Sequence, residues 1–265
     1  MLGFPLAYAD FDIDALRRAL RDRLVGRRLV YHERVTSTMD EARGLAEAGE
    51  PEGTVVIAED QTAARGRFDR PWVSPPGENL YFSVVLKPAL EQLPYANMAA
   101  ALAVARAVGS IGGLRPTIKW PNDVRINGRK LCGILVEAEL EAREVPFAVV
   151  GVGLNVNFDP SRYPEIAATA TSIYRETGKR TDRTLVLRAV LEELDDLYGG
   201  VKNGLSLTAD WAAMLDTLGR DVEVRWKESV VKGRADSVDD QGNLVLTRPD
   251  GSTFKATAGE VTLQL

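Results

Sequence analysis

Lys119 and Lys130 flank a carboxylate, Asp123, within IKWPNDVRINGRKLCGILVEAEL, the stretch from Ile118 to Leu140. Both lysines lie beside apolar runs that read as core strands. A cation entering such a region costs free energy unless an anion meets it. That anion is either a side chain or a substrate. Asn127-Gly128 signals a two-residue hairpin, which places Arg125 across from Lys130 and Asp123 diagonally near Lys130 on the same face. A helix would also align a seven-residue spacing. Asp123 and Lys130 therefore read either as a structural salt bridge beside a turn or as a reactive pair. Lys119 precedes Trp120-Pro121, where a strand must stop or bend, and a lysine at a strand end facing a cleft can serve a ligand.

A second constellation is Arg65-Gly66-Arg67-Phe68-Asp69-Arg70-Pro71-Trp72, three cations against one anion inside a long loop with three prolines and two glycines. Arginine's planar fork suits carboxylate or phosphate, glycine permits close backbone approach, and Trp72 can cover an apolar or aromatic ligand. A solvated charged loop is the competing reading, although loops this long in compact domains are often lids or binding loops. In GVGLNVNF, Gly151 to Phe158, the glycines lack the third member of a dinucleotide fingerprint, and no Walker A pattern occurs. Asn155 in so apolar a run needs hydrogen-bond partners, from a ligand or from neighbouring backbone.

These residues need elements to hold them. Asp12 or Asp14 can cap a helix on which Ile13, Leu16, Leu20 and Leu24 follow helical spacing. RLVYHERV reads as a strand. Ser37 or Thr38 can cap the helix of MDEARGLAEAG, with Glu41 placed for a capping box and Gly49 as its end. TVVIAEDQ and NLYFSVVLKP are strands on either side of the basic loop. Tyr95 to Val108, alanine-rich and apolar on nearly every side, predicts a deeply packed helix. Strand, polar loop and strand follow over 116–140, then FAVVGVGLNVNF as a buried strand. A loop after Pro160 leads to amphipathic helices over 183–199 and 207–217. From Gly219 the pattern changes to short β-type runs with turns at Asp240–Gly242 and Asp250-Gly251, enough for a small β-barrel.

Composition removes several function classes. The 265 residues carry 33 basic and 38 acidic side chains, a formal charge of −5, so no global basic field recruits nucleic acid. One histidine, His32, and one cysteine, Cys132, leave no zinc cluster of several His and Cys and no internal disulfide, and suit a reducing cytoplasm. No apolar run reaches membrane-spanning length, and MLGFPLAYADFDID lacks the basic and apolar regions of an export signal.

In order along the chain, STMDEA, EDQTAARGRFDRPWVSPPGENLYFS, IKWPNDVRINGRKLCGILVE and VVGVGLNVNF closely resemble the biotin–protein ligase family, and the β-rich tail is similar too. Each motif alone is modest; four in sequence are specific. The resemblance has departures. Ala64 and Asp69 occupy two flanking positions that are commonly glycine, and Met39 replaces an asparagine often found after Ser-Thr. Ala64 restricts backbone near biotin, and Asp69 removes a unit of local positive charge.

The resemblance implies an α+β fold: a mixed sheet backed by helices, like class II synthetases, over 1–218, and a small SH3-like β-barrel over 219–265. It implies an ATP-dependent enzyme that makes biotinyl-5′-AMP and transfers biotin to a specific lysine of a biotin carboxyl carrier protein. The other readings are a lipoate or octanoate ligase and a non-catalytic biotin or nucleotide sensor. Two negative charges ~4 Å apart repel by about 4 kcal/mol at an effective dielectric near 20, so carboxylate and polyphosphate need fixed cations and Mg²⁺ to meet.

By resemblance, Lys130, Asp123, Arg67 and Lys119 are catalytic. Ser37, Thr38, Gln61, Arg65, Arg67, Trp72 and Lys130 bind biotin. Arg67, Arg70, Trp72, Lys119, Asn122 and Asn155 bind ATP. Asp123 either positions Mg²⁺ or orients the acceptor lysine. With about 30 residues before the first motif, the chain resembles the ligase-only class, without a DNA-binding domain. A homodimer and a cytoplasmic, membrane-free location are the remaining expectations.

Overall fold

The computed structural model describes residues 11–142, 144–226 and 229–263. Helix α1, Ile13–Leu20, is capped by Asp12, whose carboxylate accepts from the amides of Asp14 and Ala15. It stops a turn short of Leu24. Strand β1, Leu29–Val35, leads to α2, Thr38–Glu47, where Ser37 is the N-cap and its hydroxyl accepts from Met39 N. Glu41 does not complete a capping box; it lies 3.6 Å from His32 instead.

Strands β2, Val55–Gln61, and β3, Leu80–Leu86, bracket the basic loop, and α3, Leu93–Gly109, is buried along most of its length. Then come β4, Thr117–Lys119, β5, Asp123–Ile126, β6, Arg129–Ala138, and β7, Ala148–Leu154. A short helix α4, Ile173–Thr177, sits in the region read as loop, ahead of α5, Arg183–Lys202, and α6, Thr208–Met214. Ser172 caps α4, accepting from Arg175 N, and Gly178 ends it in the left-handed region. Five residues bounded by these two small signals were too short to show periodicity.

The strands form one mixed sheet in the order β1-β2-β3-β7-β6-β5-β4, parallel only between β1 and β2. Period-2 alternation gives each face its own partner. On β7, Val150, Val152 and Leu154 face the main core with α3 and α5, while Val149 joins Met39, Ala42 and Ala46 of α2 on the other face. Gly151 and Gly153 continue that second face without side chains. The sheet is therefore covered by α2 at one end of this face and left as a trough at the other.

Strands β8, Asp221–Trp226, β9, Ser229–Val238, β10, Leu244–Thr247, β11, Thr253–Ala256, and β12, Glu260–Leu263, make a separate antiparallel sheet, consistent with a small barrel. It docks on the first unit through Trp120, whose indole N–H donates to Gly242 O at 2.9 Å.

Candidate active site

Asn127 and Gly128 both have positive φ, 50° and 78°, the geometry of a tight hairpin turn that brings β5 back along β6. Arg125 pairs with Lys130 as the sequence reading expects. Beyond that pair the register shifts, so Val124 meets Cys132 and Asp123 meets Gly133, leaving Leu131 as an extra residue. The bulge buries both Leu131 and Cys132 while keeping Lys130 on the face of Asp123. Lys130 Nζ stands 2.7 Å from Asp123 Oδ1.

That pair opens into a cavity of about 260 Å³ over the glycine trough. Ser37, Thr38, Gln61, Arg65, Arg67, Arg70, Trp72, Lys119, Asn122, Asp123, Lys130 and Asn155 all line it. These positions span more than a hundred residues of sequence; the sheet order β2-β3-β7-β6-β5-β4 gathers them.

The floor is made by absence. Gly133 and Gly153 are register partners, and a Cβ on either would stand 2.8 or 2.7 Å from the Trp72 ring. The indole therefore lies on bare backbone, with Lys130 Nζ 5.2 Å from a ring centroid. Trp72 Nε1 is buried and has no hydrogen-bond partner among the described residues. At one end, Gln61 Oε1 accepts from Thr38 N at 2.9 Å and from the Thr38 hydroxyl at 3.1 Å. Met39 lies against Gly151, where a Cβ would approach its Sδ to 2.4 Å.

The cations divide into two kinds. Arg65 is held by Asp40, with Nη1 3.0 Å from Oδ2, and the guanidinium holds that carboxyl below its usual range. Arg70 makes a bidentate pair with Glu260 of β12, both contacts 2.6 Å. Arg67 touches the neutral Asn122 at 3.3 Å, and Lys119 has no salt bridge among the described residues. Burial lowers the pKa of Arg67 and of Lys119, and Asp123 and Glu260 only partly offset that loss of water. Two half-buried cations thus face the cavity with no described carboxylate in contact.

Asn155 departs from a purely ligand-directed reading. It falls just past β7, where its Nδ2 donates to Thr171 O at 2.9 Å and its Oδ1 accepts from Asn79 at 3.3 Å. Protein groups thus engage both ends of its amide.

Residues 31–155 match the model of the Biotin/lipoate A/B protein ligase family. The chain is 35% identical to the Biotin–[acetyl-CoA-carboxylase] ligase of Mycobacterium tuberculosis, over 94% of this chain and 98% of that protein. The chain belongs to the biotin–protein ligase family. The chain is also similar to the Bifunctional ligase/repressor BirA of Bacillus subtilis, 34% identical over 89% of this chain and 74% of that one. Among solved biotin–protein ligases, the Aquifex aeolicus protein in complex with biotin and ATP superposes with a TM-score of 0.76 at 30% identity, covering 89% of this chain and 98% of that chain.

Within this biotin–protein ligase fold, sequence reasoning overlooked Glu260 and the floor glycines. Glu260 sits in a tail whose β pattern gives no hint of a cavity. Gly151 and Gly153 fall short of a dinucleotide fingerprint, yet their two-residue spacing on one strand is the available signal for a cleared sheet face.

Proposed function

We propose that the cavity activates biotin with ATP and hands it to a lysine of a biotin-dependent carboxylase's carrier domain. The single observation that carries this reading is the pair of desolvated cations, Arg67 and Lys119, that no described carboxylate contacts, beside the Lys130–Asp123 pair. Unpaired buried charge is costly, so a site retaining it is built for an anion.

In the first step a carboxylate oxygen of biotin attacks the α-phosphorus of ATP. The bond from that phosphorus to the bridging oxygen breaks and pyrophosphate leaves. In the second, the neutral ε-amine of the acceptor lysine attacks the acyl carbon, AMP departs as a phosphate anion, and the amine loses a proton. Lys130 neutralises the carboxylate and the α-phosphate as they approach, and Arg67 and Lys119 bind the phosphate chain. Thr38 and Gln61 supply neutral hydrogen-bonding groups for the ureido ring, and Trp72 packs beside the ligand. Asp123 holds Lys130 in place before substrate arrives and accepts a proton or a cation once Lys130 turns to the phosphate.

Mg²⁺ fits as a passenger on ATP. Among the described residues no group of three or more His, Cys, Asp or Glu side chains could cage a metal. One carboxylate, Asp123, with the nucleotide's own oxygens is the usual donor set for this ion. When bound, it would neutralise phosphate charge.

We take 1–218 as the catalytic unit and 219–265 as the small barrel. A homodimer through an open edge of the large sheet and a cytoplasmic setting complete the reading; the buried Cys132, whose thiol pKa is pushed up by burial, requires no oxidising environment. The deciding experiment incubates the protein with biotin, MgATP and a biotin-acceptor domain and weighs the acceptor. A mass gain of one biotin supports the proposal. Equal or better modification with lipoate would replace it.

A further inference from the structure

Among the described residues, Glu260 is the one acidic residue of the C-terminal sheet that lines the cavity. It grips Arg70 through two contacts of 2.6 Å, although Arg70 belongs to the loop of the first unit, 190 positions earlier. The field of this carboxylate also reaches Lys119 and Arg67, which together with Arg70 hold its pKa below the ordinary glutamate value. The geometry is that of an anion seated at the phosphate end of a cationic pocket. We propose that Glu260 is an internal stand-in for polyphosphate: it occupies Arg70 while the site is empty and must give up that arginine when a nucleotide enters.

Two effects of the carboxylate oppose each other. As a brace, it holds the loop near β12 and so favours binding. As a charge, it repels every phosphate that approaches. The side chains of Arg70 and Glu260 are 63% and 36% exposed, and ion pairs so open to water contribute little as braces. The loop has a second tie to the sheet, the Phe68 ring 6.0 Å from that of Trp226. Repulsion acts between that carboxylate and every charge of a multiply charged ligand, so it sums where the single ion pair does not. Repulsion therefore wins. Nucleotide arrival exchanges one anion for another on Arg70 and frees the loop from its ionic tie to β12.

This inference rests on the nucleotide reading above, and the test separates the two. Binding of inorganic pyrophosphate is measured by calorimetry at fixed ionic strength for the full chain and for Glu260→Gln, Glu260→Asp and Glu223→Gln. Glu260→Gln is expected to bind about tenfold more tightly, with biotin affinity unchanged. Glu260→Asp, which keeps the charge, should stay near the parent. Glu223→Gln removes the same charge from β8, outside the cavity lining, and should also stay near the parent. Equal or weaker pyrophosphate binding in Glu260→Gln overturns the stand-in while leaving the nucleotide reading intact, as does equal tightening in Glu223→Gln. No pyrophosphate binding by the parent chain overturns both.

Discussion

Gly133 of β6 and Gly153 of β7 face each other in register, and the Trp72 indole lies across the two. The contact converts a flat stretch of sheet into the floor of a site. Neither glycine has a positive φ, so backbone freedom does not explain them; close approach of the ring does.

Gly153→Ala places a methyl 2.7 Å from that ring and forces the indole to lift. We expect adenylate formation to fall about tenfold, since small misplacements of positioning groups are expensive in rate. Stability should change by less than about 1 kcal/mol, because Trp72 lies in a loop that can yield. Steady-state pyrophosphate release and urea unfolding check the two halves, and an unchanged rate would refute the role of the floor.

Lys130→Ala should abolish measurable adenylate formation while leaving a folded protein, since its only salt bridge among the described residues is the partly exposed one to Asp123. Asp123→Asn keeps the shape but releases the ammonium. It should slow the same step by roughly 10²–10³, the range seen when one preorganised group is lost. A pyrophosphate-release assay beside circular dichroism reads both variants.

The pH dependence of ATP binding should carry the mark of Lys119. Burial lowers its pKa below the ordinary 10.5. A base with a depressed folded pKa loses its charge earlier on the alkaline side than a solvated lysine does. Below the folded pKa the ammonium is present and attracts phosphate; above it the attraction is gone. The KM for ATP should therefore rise with pH somewhat below 10.5, and Lys119→Arg, charged throughout, should flatten that rise. A profile identical in both proteins would count against Lys119 as a phosphate contact.

Outside the cavity lining, Arg183 and Glu59 form a buried pair, 1% and 2% exposed, with Nη1 2.7 Å from Oε2. Arg183 also donates to Asn79 O at 3.1 Å, and the Tyr31 hydroxyl reaches Glu59 at 3.3 Å. Arg183→Met strands a carboxylate and should cost about 3–5 kcal/mol. The double variant Glu59→Leu, Arg183→Met should recover most of that loss, less the acceptor that Tyr31 gives up. Urea midpoints of the single and double variants decide whether the pair acts as a unit.

Local chemistry carried much of this molecule into view from the sequence alone. The Asn127-Gly128 turn, the alanine-rich α3, the strands around the basic loop and the change of character at Gly219 all follow from propensity and period, which act over a few residues. The cations of the site were legible for the same reason: three arginines in one loop and two lysines beside apolar runs are conspicuous wherever they fold. The hairpin spacing already set Asp123 beside Lys130; for the other cations tertiary structure alone decided which anion each meets. Asp40 takes Arg65, Asp123 takes Lys130 through a one-residue bulge, and Glu260 reaches Arg70 from another sheet, while Arg67 and Lys119 are left facing the cavity. Pairing depends on distances of a few ångströms between segments up to 190 residues apart. Spacing along the chain does not encode such distances; the order of strands in the sheet does.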